Sequence, residues 1–344
     1  MEQRLEKIFL QILLNEPIGI ADLSGLIKED ISIPTLNRAL AKLVNQKLIE
    51  VSGKGPNTRY TALKDDAIKF PINVDSYFSV DIESRPSKTY FDSNVFDILQ
   101  NISLLNTEET AKLETLGEKF NLNKPEKNSI IYKKEFERLM IELSWKSSQI
   151  EGNTYDLMDT EQLLKYGEKS KKYTQEEATM LLNHKGAIYY TFDYAEDYKF
   201  LTVSKIIDIH ALLTQNMGIS RNPRKRLVRV TGTKYKPLEN EFQILEALEK
   251  MCDLINKKEN VYEKALIAVL LISYIQPFED GNKRTARLTA NAILMSESLC
   301  PLSYRSIDSG EYKKAILLFY ELNNISAFKQ IFIDQYEFAV KTYF

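Results

Sequence analysis

One polar run in the sequence places a glycine turn beside an acid, an amide and two arginines. The run spans residues 276–287 and reads Gln-Pro-Phe-Glu-Asp-Gly-Asn-Lys-Arg-Thr-Ala-Arg. Arg284 and Arg287 are three residues apart, so on a helix they would lie on one face, where their guanidinium groups can bind successive phosphates. Asp280 offers a hard oxygen ligand for Mg²⁺, and the amide of Asn282 can orient a ligand oxygen. These side chains predict a site for a phosphorylated ligand and its metal ion.

The segment that leads into this run is apolar on all sides. Residues 265–275 read Ala-Leu-Ile-Ala-Val-Leu-Leu-Ile-Ser-Tyr-Ile, a pattern typical of a helix buried at the centre of a domain. A second helix is expected after Gly281, and its first N–H groups and positive dipole end would favour an anion. A capped helix start with solvated arginines is the alternative. A polar loop anchored by a buried helix, however, is rigid enough to hold a ligand.

The twelve residues of the run resemble the signature of the Fic/Doc family, His-x-Phe-x-(Asp/Glu)-Gly-Asn-Gly-Arg-x-x-Arg. The matching positions are Phe278, Asp280, Gly281, Asn282, Arg284 and Arg287. The resemblance implies a helical domain that transfers AMP from ATP, with Mg²⁺, to the hydroxyl group of a target protein. In that case Asp280 would hold the metal ion. The residues that would bind the nucleotide are Gly281, Asn282, Lys283, Arg284 and Arg287.

Two segments outside the signature add to the resemblance. The first, Ser147-x-x-x-Glu151-Gly152, is similar to the family's inhibitory motif, and we expect Glu151 to pair with Arg287 where a γ-phosphate would lie. The second is a hairpin predicted over residues 228–237, where the family places its substrate-aligning flap. The flap residues of interest are Val228, Val230, Gly232 and Tyr235.

Gln276 departs from the signature, because the family has its catalytic histidine at that position. A general base needs a pKa near the working pH. A glutamine amide accepts no proton at physiological pH, so Gln276 can orient a hydroxyl group but cannot deprotonate it. We therefore expect transfer to be weakened or lost, although positioning and charge stabilisation could sustain some of it. The two histidines of the chain, His184 and His210, are expected to be packed or surface residues of helices.

Lys283 is a second departure, since the commonest signature has glycine there. A Lys-Arg pair occurs in the family's death-on-curing branch, where the nucleotide is used in a kinase-like orientation, whereas the inhibitory motif resembles the AMP-transferring branch. The reaction class stays open between adenylyl transfer, phosphoryl transfer and none. An active AMP transferase, and a transcription regulator that uses the domain as a ligand sensor, are the alternatives to an impaired enzyme.

The first 63 residues predict three short helices and a hairpin. They resemble a winged helix-turn-helix module, with the third helix starting after Ser32 and a glycine-containing wing at residues 53–57. From Ser32 to Leu63 five basic residues stand against one acidic residue, an excess that suits phosphate contacts around a helix in the major groove. A protein-protein or dimerisation module is the alternative. The candidate DNA-binding residues are Thr35, Arg38, Lys42, Lys54 and Arg59.

Composition favours a mainly α-helical protein, because 12 glycines and 10 prolines in 344 residues leave few tight turns. We expect a winged helix over residues 1–64, a linker with packing helices over 65–129 and a multi-helix Fic-type domain with its flap over 130–344.

Charge and cysteine content limit the partners and the compartment. The net charge of −2 gives no general attraction to nucleic acid or lipid, so any DNA contact must be local. Two cysteines without metal-ligand spacing fit a reducing, cytoplasmic compartment, and no apolar stretch is long enough to predict a membrane span. The partners that remain open are a nucleoside triphosphate, a target protein, double-stranded DNA and a second copy of the chain.

Overall fold

The chain folds mainly into α-helices, which confirms the fold class predicted from composition. The computed structural model describes residues 2–27, 31–126 and 129–343. These residues form two compact units. The first unit contains the described residues up to Tyr90 together with Val230–Tyr235 and Leu317–Ala327. The second unit contains Phe91–Arg229, Lys236–Ile316 and the described residues from Phe328 onward.

The N-terminal elements of the first unit lie where the sequence pattern predicts them. They are α1 (Glu2–Asn15), α2 (Ile20–Leu26), α3 (Ile33–Asn45), β1 (Ile49–Ser52) and β2 (Arg59–Ala62). The strands pair antiparallel with Ile49 opposite Ala62, and Ile18 forms a single bridge to Tyr60. The apolar stripes of α1 and α3 form the core of this part, with Phe9 and Leu36 fully buried. Amphipathic spacing therefore positions an exposed face of α3 beside the hairpin.

The rest of the first unit contains a buried ion pair between Arg85 and Glu321. It includes α4 (Lys64–Ala67) and α5 (Val74–Phe78). Arg85 donates from Nε and Nη2 to the two carboxylate oxygens of Glu321, at 2.8 and 2.7 Å. The hydroxyl of Tyr77 also donates to Glu321, at 2.7 Å, and Arg85 Nη2 donates to the carbonyl of Gly232 at 2.8 Å. Three stretches of chain that are distant in sequence are thus joined by one guanidinium group.

The second unit is built from helices. They are α6 (Asn94–Asn101), α7 (Thr107–Asn123), α8 (Ile130–Ile150), α9 (Leu157–Tyr166), α10 (Gln175–Asp193), α11 (Val203–Leu213), α12 (Glu241–Lys257), α13 (Val261–Ile275), α14 (Asn282–Ser296), α15 (Ser309–Leu322) and α16 (Ser326–Tyr343). The join between α15 and α16, residues 317–327, belongs to the first unit.

Helix α13 forms the centre of the second unit, as its uniform apolarity predicts. Every side chain from Ala265 to Ile275 is buried, and α13 packs against α12 and α14. The helix ends at Gln276, whose φ of 51° is left-handed, and α14 begins after Gly281, whose φ is 80°. We call residues 276–281 the signature loop. Because both flanking helices are buried, the loop is fixed at both ends by the core.

The predicted flap hairpin is not present as paired strands. The structure assigns no strand between Leu227 and Tyr235, although a turn does occur at Thr231 and Gly232. The carbonyl groups of Arg226 and Leu238, which flank this stretch, both accept hydrogen bonds from Arg224. We refer to residues 227–237 as the flap segment.

A helix that spans a membrane needs about 20 predominantly apolar residues. Within residues 2–27, 31–126 and 129–343, no helix is both long enough and apolar enough to span a membrane.

Candidate functional site

Asn282 holds the signature loop closed. Its side-chain oxygen accepts from the backbone N–H of Phe278 at 2.8 Å, and its Nδ2 donates to the carbonyl of the same residue at 2.8 Å. Nδ2 also donates to Oε1 of Gln276 at 3.1 Å. The amide expected to orient a ligand therefore shapes the loop, and the side chain is itself buried.

Gly281 is required by both space and conformation. A Cβ atom at this position would lie 3.2 Å from Thr214 Cγ2 and 3.4 Å from His210 Cδ2, and the φ of 80° is strained for other residues. The backbone can therefore turn sharply into α14. The first N–H groups of that helix lack carbonyl partners within it and, with the helix dipole, favour an anion at this end.

Arg287, on the next turn of α14, contacts the predicted inhibitory motif. Its Nη2 lies 3.0 Å from Oε1 of Glu151 and donates to the carbonyl of Ser147 at 2.7 Å. Its Nε donates to the hydroxyl of Ser147 at 3.0 Å. The guanidinium is fully buried and lies over the ring of Tyr312, 5.1 Å from its centre. The structure thus brings together the arginine and glutamate that the sequence paired, and Gly152 follows with a φ of 100° as α8 ends.

Lys283 makes a second contact with the same carboxylate, which sequence analysis did not anticipate. Its Nζ lies 3.3 Å from Oε2 of Glu151, so each oxygen of Glu151 faces one cation. Burial alone raises the pKa of Glu151, but the charges of Arg287 and Lys283 outweigh burial and hold the pKa below its ordinary value. The carboxylate therefore remains ionised in the folded protein.

Arg284 is buried while its partner Asp280 is exposed. Nη2 of Arg284 lies 3.3 Å from Oδ2 of Asp280, and Asp280 leaves 64% of its side chain open to solvent. In the described part of the chain, Arg284 Nε is a buried donor with no hydrogen-bond acceptor. An accessible carboxylate and an unsatisfied guanidinium donor fit the demands of a metal ion and an anionic ligand, respectively.

A metal ion at Asp280 would need ligands from a second molecule. Among the residues that the structure describes, no group of three or more His, Cys, Asp or Glu side chains could hold a metal ion. Mg²⁺ is commonly bound by one or two carboxylates together with phosphate oxygens of a substrate. The residues at Asp280 therefore fit a metal that arrives with a phosphorylated ligand.

Gln276 is buried and oriented within the loop. Its Nε2 donates to the carbonyl of Ser273 at 2.6 Å, and its Oε1 accepts from Asn282. The backbone carbonyl of Gln276 accepts from Arg224 Nε at 2.7 Å. Since the amide has no proton-accepting nitrogen at physiological pH, Gln276 offers a hydrogen-bonding group and not a general base.

The two histidines, His184 and His210, are both buried within helices. His210 stacks on Phe278 with ring centres 3.6 Å apart, and its Nε2 donates to the carbonyl of Asp280 at 3.0 Å. Burial is the main cause that lowers the pKa of His210 to about 4. His184 is fully buried, and burial lowers its pKa well below the ordinary value. Both histidines are packed in the protein interior, and His210 contacts the signature loop through Phe278 and Asp280.

The flap residues differ in their surroundings. Val228 and Val230 are half-buried. Gly232 has a φ of 86° at the turn, and Tyr235 is buried with its ring 5.2 Å from that of Tyr320. The turn at Gly232 and the buried Tyr235 both belong to the part of the flap segment, Val230–Tyr235, that lies in the first unit.

The predicted DNA-binding residues lie on the exposed face of α3 and on the hairpin. Arg38, Lys42 and Lys54 are exposed. Thr35 is half-buried and its hydroxyl shares a 2.9 Å hydrogen bond with Ser32. Arg59 donates to carbonyls within its own wing, those of Pro56 and Thr58 at 3.3 and 3.0 Å. The side chains of Arg38, Lys42 and Lys54 are therefore open to a ligand, while Arg59 is bonded within the hairpin.

Comparison with known proteins places this geometry in a family. The family described as Fic/DOC matches residues 200–294, a stretch that includes the signature loop and α14 up to Leu294. This chain contains a Fic/DOC family domain. The matched stretch includes both Gln276 and Arg287.

Relatives of the Fic/DOC domain include proteins named protein adenylyltransferase. The chain is 27% identical over 159 residues to "Protein adenylyltransferase fic-1" of Caenorhabditis briggsae, covering 44% of this chain and 31% of that protein. It is 28% identical over 176 residues to "Protein adenylyltransferase Fic" of Nematostella vectensis, covering 48% of this chain and 40% of that protein. The aligned part thus spans less than half of these relatives.

Solved structures share the fold. Fic-1 residues 134–508 from C. elegans superpose with a TM-score of 0.59 at 20% identity, over 69% of this chain and 70% of that chain. A Fic domain containing signaling protein from Bacteroides thetaiotaomicron superposes with a TM-score of 0.58 at 22% identity, over 67% of this chain and 94% of that chain. The helical arrangement around the signature loop is therefore that of known Fic proteins.

Proposed function

We propose that this chain binds ATP with Mg²⁺ at the signature loop and the start of α14, and that Glu151 holds the site in an inhibited state. The observation that carries the proposal is the contact of Glu151 with Arg287 and Lys283. The carboxylate of Glu151 pairs with two cations beside a helix N-terminus. Without this carboxylate, the two cations would attract the terminal phosphate of a nucleotide. The names of the adenylyltransferase relatives support ATP as the ligand.

The roles of the residues follow from their positions. Arg287 and Lys283 would bind the terminal phosphate once Glu151 moves away, while the N–H groups at the start of α14 and Arg284 would bind the inner phosphates. Asp280 would hold Mg²⁺ together with phosphate oxygens. The metal, when bound, neutralises charge on the phosphates and on the pyrophosphate that leaves.

Transfer would be slow because of Gln276. In adenylyl transfer the acceptor oxygen bonds to the α-phosphorus, the bond to the β-phosphate bridge breaks, and the acceptor proton must go to a base. Gln276 can hydrogen-bond the hydroxyl but cannot take its proton, and general-base assistance is worth roughly 10²- to 10⁴-fold in rate. We therefore propose a nucleotide-binding protein with impaired transferase activity, whose target would be a Ser, Thr or Tyr hydroxyl.

Labelling with ATP tests this proposal and its two enzymatic alternatives. Glu151→Gly, which removes the proposed inhibition, and Glu151→Gly/Gln276→His are each incubated with ATP labelled at the α-phosphate and, in parallel, at the γ-phosphate. Incorporation only from the α label and only in the double variant is the expected result. Equal α labelling by Glu151→Gly alone would indicate an active AMP transferase instead, and incorporation from the γ label would indicate phosphoryl transfer, for which Lys283 beside the site is the motivation.

A second candidate function is DNA binding by the first unit, as a winged helix of a cytoplasmic regulator. The exposed Arg38, Lys42 and Lys54 on α3 and the hairpin favour it, because these cations are positioned for phosphates on both sides of a groove. In this reading the Fic/DOC domain would act as a nucleotide sensor, and a homodimer would match a two-fold symmetric DNA site. Retardation of genomic fragments around its own coding region tests the binding.

A further inference from the structure

Arg224 is a buried cation that donates hydrogen bonds to several backbone carbonyl groups, among them that of Gln276 in the signature loop. Only 1% of its surface is exposed. Its Nε donates to the carbonyl of Gln276 at 2.7 Å, and its own backbone N–H donates to the carbonyl of Pro277 at 2.9 Å. Its Nη1 donates to the carbonyl of Arg226 at 2.8 Å and its Nη2 to that of Leu238 at 2.6 Å. One residue thus contacts the loop twice and both ends of the flap segment once each.

The contact with Gln276 acts on an unusual backbone conformation. Gln276 has a φ of 51°, which a residue with a side chain keeps only where its surroundings fix it. A charge-assisted hydrogen bond to its carbonyl fixes the peptide plane that follows. The direction of the side chain at position 276 depends on that plane, so Arg224 contributes to the direction in which this side chain points.

The contacts with Arg226 and Leu238 act on the flap segment. These two residues flank residues 227–237, and their carbonyl groups are bonded to one planar guanidinium group. The ends of the segment are therefore held at a fixed distance from each other and from Gln276. A lysine could not replace this arrangement, because its ammonium group lacks the planar fork that reaches three carbonyl groups at once.

We propose that Arg224 is a positioning residue that sets the two ends of the flap segment and the side chain at position 276 in one common geometry, in which an acceptor hydroxyl meets that side chain. The proposal rests on the proposed transferase function, in which position 276 faces the acceptor. In this role Arg224 acts through residue 276 and the ends of the flap segment, and it is assigned no contact with nucleotide or acceptor. Loss of this arrangement should therefore slow transfer while the nucleotide affinity stays the same.

Hydrogen exchange tests the arrangement without any assumption about activity. Wild type, Arg224→Lys and Arg224→Met are compared by mass spectrometry, with Arg221→Met as matched control, since Arg221 is exposed and pairs only at the surface with Asp208. We expect at least tenfold faster exchange in peptides that cover residues 226–238 and 276–281 in both Arg224 variants. Exchange in α13 should stay at the wild-type rate, which shows that the domain remains folded. Unchanged exchange in the two peptides, or equal acceleration throughout the domain, would overturn the proposal.

A transfer assay adds the functional readout. In a Gln276→His/Glu151→Gly background, Arg224→Lys should lower the initial rate of labelling from ATP by roughly 100-fold, a loss typical of a reacting group misplaced by about 1 Å. ATP affinity by calorimetry should change less than twofold, and Arg221→Met should match the background in both. A parallel loss of rate and affinity would refute a positioning role. If the background itself shows no labelling, the proposed transferase function fails, whereas the exchange experiment still decides whether Arg224 joins the two segments.

Discussion

Glu151 and Arg287 are joined by a 3.0 Å ion pair in which the arginine is fully buried and the glutamate is 19% exposed. The unequal exposure decides which partner can leave. Arg287 is also held by two hydrogen bonds to Ser147 and by the ring of Tyr312, whereas Glu151 lies at the end of α8, next to Gly152. Opening of the pair therefore requires the glutamate to move, which leaves a preorganised cation behind.

Removal of Glu151 should strengthen nucleotide binding. We expect Glu151→Gly to bind ATP with Mg²⁺ about tenfold more tightly than wild type, equivalent to about 1.4 kcal/mol, because Arg287 and Lys283 then meet the terminal phosphate. The double variant Glu151→Gly/Arg287→Ala should lose this gain. Calorimetry measures all three affinities, and equal values would contradict the pairing of Arg287 with a phosphate.

The pair should also give the protein a defined pH dependence. The pKa of Glu151 is lowered from its ordinary value of 4.5 by Arg287 and Lys283 despite burial, so its stabilising contribution is complete above that value and is lost as pH falls through the lower folded-state pKa. Urea unfolding of wild type and Glu151→Gln should give a difference in unfolding free energy that is constant from about pH 7 to about pH 5 and shrinks below the ordinary pKa. A difference independent of pH would show that the charge of Glu151 is not what stabilises the contact.

Lys283 should contribute to the inhibited state. In Lys283→Gly, Glu151 keeps Arg287 but loses its second cation, so the carboxylate should leave more readily. We expect a smaller gain in ATP affinity on removing Glu151 in this background, about threefold rather than tenfold, because the terminal phosphate also loses one charge. Calorimetry of Lys283→Gly with and without Glu151→Gly measures it. A gain equal to that in the wild-type background would mean that Lys283 contacts neither Glu151 nor phosphate in solution.

Asn282 should be needed for the shape of the signature loop beyond its contribution to stability. Asn291 offers a matched control, since it lies on the same helix, is fully buried and makes two comparable hydrogen bonds to the backbone of Leu302. Asn282→Ala and Asn291→Ala should each lose about 1–3 kcal/mol of unfolding free energy. Only Asn282→Ala should lower ATP affinity by tenfold or more. Similar affinities in both variants would place the nucleotide away from this loop.

DNA affinity, if carried by α3 and the wing, should depend on salt and on particular cations. Arg38→Ala, Lys42→Ala and Lys54→Ala should each reduce the slope of log K against log salt by about 0.9, the value for one lost phosphate contact. Arg59→Ala should reduce the slope less, because its guanidinium is already bonded to Pro56 and Thr58. Lys64→Ala, exposed but outside the hairpin, is the control. No retardation at about 50 mM salt would leave this part of the chain as an interaction module.

Local patterns predicted the elements better than the way in which distant segments combine. The apolar run before Gln276 correctly indicated a buried helix, because every face of such a helix must be covered. The pairing of Glu151 with Arg287 came from the resemblance to the family's inhibitory motif and not from the spacing of the residues. The flap hairpin was not found as strands, and the carbonyl at its turn, that of Gly232, bonds to Arg85, a partner that no periodicity reveals.

Arg224 and Lys283 show what the sequence could not indicate. The partners of Arg224 are carbonyl groups, which every residue has, so no pattern of side chains marks them. Lys283 was read as a charge near phosphates, and its contact with Glu151 depends on how α8 and α14 approach each other. In both cases the information lies in the tertiary arrangement and not in the spacing along the chain.

The ion pair between Arg85 and Glu321 determines how this protein can be divided for expression. Glu321 is 1% exposed and lies far along the chain in α15, whereas Arg85 and Tyr77 come before residue 91. A fragment that begins after Tyr90 would keep the carboxylate but lose both of its donors, which leaves a buried charge unpaired. A separate Fic/DOC fragment would therefore be expected to need Glu321→Gln, or retention of residues 64–90, before it folds with native stability.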